Sequence, residues 1–393
     1  MESDKLDIMS PVKGFDDLTE EQAIKQEKIR KIIVETFELY GFEPAETPVI
    51  EFESFVKGNN SNDKAVSDIF KLKDKGDRNL ALRYEFTFQL KRISKNKKLP
   101  YKRYQIGPVF RDEPITGNRF RQFTQCDIDV VGSTIRDEAE ILSIAKKTLN
   151  KIGIKPVIYV NNRRLLNEIL GSQGIKESDR ELVIREIDKI DKLPESQVKE
   201  NLKKFKAENL LKSFRESENY FKKFQSYKEI EELKKLCKFY DVDVVFLPSL
   251  ARGLSYYNGN IFEIKSSLRE SICGGGSYEV DGVSATGISF GLERLRTLAK
   301  IQVGSSKAVI ISINQDEKTI KLAEDLRENK ISCIILSKGI SKSLDYANSK
   351  KIPYAIIIGE DEIKSKKYKL KDMSSGKEQK LNLKSIIKKL QRI

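Results

Sequence analysis

No histidine and no tryptophan occur anywhere in the 393 residues. Without an imidazole there is no Ser-His-Asp relay, no HExxH metal site and no histidine general base. Any chemistry here must run on carboxylates, cations, phenols and backbone groups. A GxxxxGK[ST] phosphate loop is missing as well. Cysteine is scarce: Cys126, Cys237, Cys273 and Cys333 stand far apart with no CxxC spacing. That spacing argues against a disulfide framework or a zinc ribbon and predicts buried, reduced thiols. No run of about eighteen apolar residues exists to span a bilayer. The opening MESDKLDIMSPVKGF mixes acids and bases without an apolar h-region, so neither a membrane anchor nor a secretory signal is expected and the default compartment is the cytoplasm.

What is present is charge. Lysine and arginine number 73 against 59 acidic residues, a formal +14. The surplus is concentrated, since residues 305–393 hold 20 basic and 11 acidic side chains. A polyanionic partner would account for it; a genome-wide preference for Lys, Asn and Ile would produce the same bias. Length and a 39% hydrophobic content predict a protein of two or three domains with ample core.

Along the chain, Ile29, Ile32, Ile33, Phe37 and Tyr40 recur at helical spacing and Gly41 follows as a stop signal, predicting a helix over 20–40. FEPAETPVIEF carries two prolines and fits an extended edge or interface segment. DIFKLKD and LALRYEFTF form one expected hairpin, RYQIGPVFRDE and FRQFTQCDIDVVG another. Residues 163–240 change character, with charged helical patterns such as KENLKKFKAENLLKSF that predict a helical insertion. Strands return in DVDVVFL, GNIFEIK and ATGISFG, separated by glycine-rich turns. After a linker at 303–306, KAVIISI, SCIILS and YAIIIGEDE alternate with helical segments, the order of a small α/β domain with a mainly parallel sheet.

Three stretches carry chemistry. In VFRDEPITGNRFRQF, Arg111, Arg119 and Arg121 surround a hairpin loop with Glu113, and guanidinium forks match phosphate oxygens in bidentate fashion. Arg252 lies beside Gly253 in ARGLSYYNG, followed by Tyr256 and Tyr257, and Arg294 begins a helix after GISFG. Glu85, Gln125 and Asp129 are polar side chains within apolar strands; buried, they need partners, and alternation could instead turn them to water.

Together these stretches resemble the histidyl-tRNA synthetase family of class II aminoacyl-tRNA synthetases, over nearly the whole chain. PVKGFDDL and the helix before TPVIE resemble its first signature, with Pro48 at a dimer interface. FRDEPITGNRFRQFTQCDIDVVG resembles its second and GISFGLER its third. LARGLSYYNGNIFE and CGGGSYE are similar to the family's two histidine peptides, and QCDID to its archaeal and eukaryotic branch. The resemblance implies an α+β class II catalytic domain over 1–302, with an antiparallel sheet and a helical insertion about 163–240. An α/β anticodon-binding domain over 303–393 would follow, and the protein would be a cytoplasmic homodimer. The activity implied is ATP-dependent ligation of L-histidine to histidine tRNA through histidyl-adenylate, with Mg²⁺ accompanying ATP and no protein-built metal site. By motif, Arg111 would hold the α-phosphate, Glu113 the adenine, and Arg119 and Arg294 the outer phosphates or the base face. Arg252 would meet the α-phosphate from the opposite side. Glu85, Thr87 and Gln125 would take the substrate ammonium, while Asp129, Tyr256, Tyr257 and Tyr278 would surround the imidazole.

This sequence departs from the family pattern at Ser255, where Asp is usual, and at Ser277 and Glu279, which replace Arg and Asp. The rival reading is a catalytically silent paralogue serving as the regulatory subunit of an ATP phosphoribosyltransferase; retention of Arg111, Arg252, Arg294 and the basic C-terminal region favours the enzyme. The lack of histidine has its own consequence in such a protein. Its translation would not consume the charged tRNA it produces. During histidine starvation, synthesis of this chain should persist while a version carrying added histidine codons falls; equal rates would end the idea.

Overall fold

The computed structural model describes residues 9–58, 64–115, 120–266, 271–303 and 306–392. They fall into two compact units, the larger containing Gln26–Ile301 and the smaller Gln302–Ile393. The strands in chain order are β1 (Glu43–Pro44), β2 (Ile50–Phe52), β3 (Lys71–Lys73), β4 (Asn79–Leu82), β5 (Tyr101–Phe110), β6 (Gln122–Val131), β7 (Val157–Asn162) and β8 (Val245–Phe246). They continue with β9 (Asn260–Lys265), β10 (Ser271–Val280), β11 (Val283–Gly291), β12 (Ala308–Ser312), β13 (Cys333–Leu336), β14 (Tyr354–Ile358), β15 (Tyr368–Asp372) and β16 (Glu378–Leu381).

In the larger unit, eight strands run in the order β1-β5-β6-β11-β10-β9-β7-β8. The six inner strands are antiparallel, and only the short edge strands β1 and β8 pair in parallel. The helix Glu20–Leu39 follows from its apolar spacing and buries Ile29, Ile33 and Phe37 in the core. The helix Ile135–Lys151 starts at a Thr134/Asp137 capping box and buries Ile141, Leu142, Ile144 and Leu149. FEPAETPVIEF supplies β1 at the sheet edge and then β2, which pairs with β4 in a separate sheet of order β2-β4-β3. Helices from Arg163–Ser172 to Tyr227–Phe239 form the insertion, entered from β7 and left toward β8, which lie side by side.

Two expectations for this unit need correcting. LALRYEFTF is a strand only as far as Leu82, and its remaining residues form an irregular segment. CGGGSYE is no turn but the heart of β10, paired along its length with β11 and β9. Its glycines are there for room: a Cβ on Gly274 would collide with the Arg252 guanidinium, and one on Gly275 with the Gly287 carbonyl oxygen. Glycine's poor strand propensity is outweighed where a side chain or another backbone must approach this closely.

The smaller unit has the sheet order β13-β12-β14-β15-β16. β13, β12 and β14 are parallel, and the expected strand and helix alternation produces them. β15 and β16 add an antiparallel hairpin that the sequence did not announce. Ile310, Ile356 and Ile358 pack with Leu322, Leu326 and Ile386 on one face, while Val309, Ile311 and Ile357 pack with Ala347 on the other. Burial on both faces explains the near-continuous apolar runs of KAVIISI and YAIII.

Candidate active site

One cavity of about 1160 Å³ opens on the larger unit's antiparallel sheet. Arg111 from the end of β5 and Arg252 from the loop before β9 both line it, although 140 positions separate them in sequence. Glu85, Thr87, Glu113, Gln125, Asp129, Tyr256, Tyr257, Tyr278 and Arg294 line it too. Arg119 lies outside the described residues. Arg121 does not join the wall; its guanidinium pairs with Asp112 at 3.2 Å and bonds to the Glu113 carbonyl at 3.3 Å.

The phosphate-binding candidates are held in place from below. Arg111 donates through Nε to the Tyr84 carbonyl at 3.2 Å and stacks 5.1 Å from the Phe123 ring centre, which fixes the plane of its fork. Arg294 donates to the Ser271 carbonyl. Arg252 rests on glycine backbone and pairs with Glu263 at 3.5 Å. Glu263 also meets Lys265 at 3.3 Å, and Lys265 pairs with Asp191 of the insertion. Burial works against the charge on Arg252, and Tyr257, Glu263 and Asp188 more than restore it. A half-buried cation surrounded this way stays ready for an anion.

The other end of the cavity is rich in acceptors. Glu85, Gln125 and Asp129 are 4%, 9% and 3% exposed, so all three face into the protein, not to water. Residues 125, 127 and 129 share one face of β6, as the period of two requires. Gln125 donates to the Ser289 hydroxyl at 2.9 Å, leaving its carbonyl oxygen without a hydrogen-bond partner among the described residues. Asp129 forms an ion pair at 2.7 Å with Arg103, which stands opposite it on β5 and is fully buried, and it accepts from the Tyr278 hydroxyl. Gly287 faces Asp129 across the ladder because a Cβ there would strike the carboxylate.

The tyrosines tie the two ends together. The Tyr256 hydroxyl donates to Glu85 at 3.2 Å, and its ring lies 4.7 Å from that of Tyr257 and 5.5 Å from that of Tyr278. Burial raises all three phenols and keeps them neutral donors. Burial also pushes the Glu85 carboxyl up to about 7 despite the lowering pull of Arg111. Asp127 is pushed up to about 7 by burial against the pull of Arg103, and Asp129 is raised for the same reasons. Sequence reasoning singled out neither Arg103 nor Asp127. The signal for Asp127 was the strict alternation 125/127/129; Arg103, next to Lys102 and near Gln105 in its strand, gave none.

An antiparallel sheet that gathers Arg111 of the second signature and Arg294 of the third over one cavity is the catalytic architecture of a class II aminoacyl-tRNA synthetase. Comparison with known proteins agrees: a model described as Histidyl-tRNA synthetase matches residues 14–295 and one described as Anticodon binding domain matches 307–393. A histidine–tRNA ligase of Bacillus cereus is 33% identical, with 96% of each chain covered. The crystal structure of histidyl-tRNA synthetase from Nostoc superposes with a TM-score of 0.84 at 25% identity, covering 98% of this chain and 99% of that one. A Bacillus halodurans structure described as an ATP phosphoribosyltransferase regulatory subunit/histidyl-tRNA synthetase has a TM-score of 0.75 at 20% identity, over 88% of this chain and 98% of that one. This last likeness concerns the fold alone. The chain belongs to the histidyl-tRNA synthetase family. These relatives are bacterial, so QCDID does not assign the chain to the archaeal and eukaryotic branch. The motif answers a local need, acceptors facing the pocket and Arg103, and that need carries no lineage.

The Glu85 carboxyl titrates higher in the folded protein than its ordinary 4.5. Its contribution to stability is therefore full below the unfolded value and lost as pH rises through about 7. Relative to Glu85→Gln, the unliganded wild type should lose on the order of 3 kcal/mol between about pH 4 and pH 8. Urea unfolding of both proteins measures this, and parallel pH profiles would refute the assignment.

Proposed function

We propose that this cavity activates L-histidine with ATP and then passes the histidyl group to the terminal ribose of histidine tRNA. In the first step a carboxylate oxygen of histidine attacks the α-phosphorus, the new C–O–P link forms and pyrophosphate leaves with its electron pair. The nucleophile is already ionised, so a chain without histidine loses nothing by lacking an imidazole base. Catalysis is then alignment and charge neutralisation. In the second step a ribose hydroxyl attacks the activated carbonyl, the bond from that carbon to the phosphate oxygen breaks, and AMP departs with the hydroxyl's proton.

Arg111 and Arg252 approach the α-phosphate from opposite sides and stabilise the charge that builds there. Glu113 receives the adenine, and Arg119 and Arg294 the outer phosphates or the base face. Glu85, Thr87 and Gln125 accept the substrate ammonium. Asp129, held by Arg103, and the phenols of Tyr257 and Tyr278 read the two-nitrogen ring, with Tyr256 bridging toward Glu85. A pocket of buried acceptors discriminates strongly because an analogue lacking a ring N–H leaves one unpaired. ATP arrives as its Mg²⁺ complex. The phosphates and water carry the ion. The observation that carries this reading is the meeting of Arg111 and Arg252 with the buried acceptors Glu85, Gln125 and Asp129 in one cavity.

The working form is a cytoplasmic homodimer. Ile50, Phe52 and Leu72 are exposed, and cross-strand pairing puts them on one face of the β2-β4-β3 sheet, opposite buried Ala81. Exposed Pro48 lies beside them in sequence. An apolar face of this kind marks an association surface. The four cysteines are free and buried, as suits a reducing compartment, and no helix among the described residues is long and apolar enough to cross a membrane. The basic smaller unit engages the anticodon end of the tRNA.

Histidine-dependent ATP–pyrophosphate exchange tests the activity. Wild type should exchange, Arg252→Gln should lose about 10²–10³ in kcat, and Asp129→Asn should chiefly raise the histidine KM. A folded wild type with no exchange would favour the regulatory-subunit reading. Sedimentation of Phe52→Glu tests assembly: the variant should shift to monomer, and an unchanged dimer would move the interface elsewhere.

A further inference from the structure

Ser277 precedes Tyr278 on β10 and faces away from the cavity, because successive strand residues alternate. It meets Glu138, a carboxylate on the helix Ile135–Lys151 that is 8% exposed and forms no ion pair among the described residues. Glu138 Oε1 accepts from the Ser277 hydroxyl at 2.6 Å and Oε2 from the Asn260 amide at 2.7 Å. Asn260 Oδ1 accepts from Asn162 at 2.9 Å. The Asn162 side chain also donates to Glu229 at 2.7 Å, and Arg164 closes on the same Glu229 oxygen at 2.6 Å. The carbonyl of Asn162 caps the first helix of the insertion.

The two donors to Glu138 bracket the segment that carries Tyr257. The Asn258 N–H donates to the Ser277 carbonyl at 3.0 Å. On the facing strand, a Cβ on Gly276 would lie 2.6 Å from the Asn260 carbonyl oxygen and 2.9 Å from the Tyr257 ring, so strand and segment are in close register. Nothing in the proposed reaction uses Glu138 directly. We propose that Glu138 is a positioning residue for the histidine pocket: by gripping Ser277 and Asn260 it fixes the backbone that presents Tyr278 and Tyr257. The proposal rests on the reading of those tyrosines as histidine-binding.

The unusual serine gives this grip a pH dependence. An arginine at 277 would keep the carboxylate ionised. Here the donors in contact are neutral, and burial pushes Glu138 up to about 7. The charged and titratable groups facing it are Glu229, which raises it further, Arg164, which lowers it, and the buried Cys237 thiol, itself pushed up to about 12. Ionised Glu138 accepts from both donors. Protonated, it must donate from one oxygen, and since an amide nitrogen cannot accept, the Ser277 hydroxyl has to turn round.

The test is the histidine KM in pyrophosphate exchange, with the ATP KM as internal control, across pH 6–8. Glu138→Gln mimics the protonated form. Its histidine KM should match wild type near pH 6 and exceed it several-fold, roughly 3- to 10-fold, near pH 8. Ser277→Arg, which places a cation beside the carboxylate, should move the wild-type inflection to lower pH. Substrate imidazole and Glu85 titrate in the same window in every variant, so the difference between profiles isolates Glu138. Parallel profiles, or ATP and histidine KM values that move together, overturn the proposal. Tyr257→Phe and Tyr278→Phe distinguish the two levels: if neither alters the histidine KM, the reading of the pocket fails, whatever Glu138 does.

Discussion

A side chain at position 274 would occupy the space that the Arg252 guanidinium fills, and one at 287 would displace the Asp129 carboxylate. Both ends of the cavity depend on this same concession. β10 and β11 give up side chains at their centre so that a cation can lie on the sheet at one end and an anion at the other. The strands tolerate it because they are central: β10 is paired on both sides, with β9 and β11, and the ladder supplies the order that glycine cannot. Substrate-sized space and fixed charge thus arise from the same residues.

The charges so placed divide the cavity. Arg111, Arg252 and Arg294 supply the cavity's cations, while Glu85, Asp127 and Asp129 gather around the buried Arg103, which pairs with Asp129. With fewer cations than carboxyls, burial pushes Glu85 and Asp127 up to about 7. A ligand bringing an ammonium restores the balance. This is an electrostatic description of selectivity, and it requires no protein histidine at either end.

Periodicity made the first helix and the β5/β6 hairpin legible, because Ile29, Ile33 and Phe37 and the 125/127/129 alternation obey simple repeats. The cluster of Arg111, Arg252 and the tyrosines was legible only through motifs, since no local pattern says that residues so distant in sequence share a cavity. β10 was misread because Gly274, Gly275 and Gly276 look like a turn when their neighbours in space are unknown. Arg103 escaped notice for a similar reason: its partner Asp129 stands opposite it across a ladder whose register only the fold defines. The β15/β16 hairpin went unseen because its half-exposed, lysine-rich strands carry little apolar alternation.

The helical insertion leaves the sheet at β7 and returns at β8, two strands hydrogen-bonded to one another at Tyr159 and Val245. Its doorway is therefore closed by the sheet itself, and Asn161 secures the return by donating to the carbonyls of Pro248 and Leu250. Whatever hangs between those strands is a cassette. Its outer helices can lengthen, shorten or be exchanged without shifting the sheet beneath, while the part that lines the cavity, Asp188 and Asp191 included, stays tied to the frame.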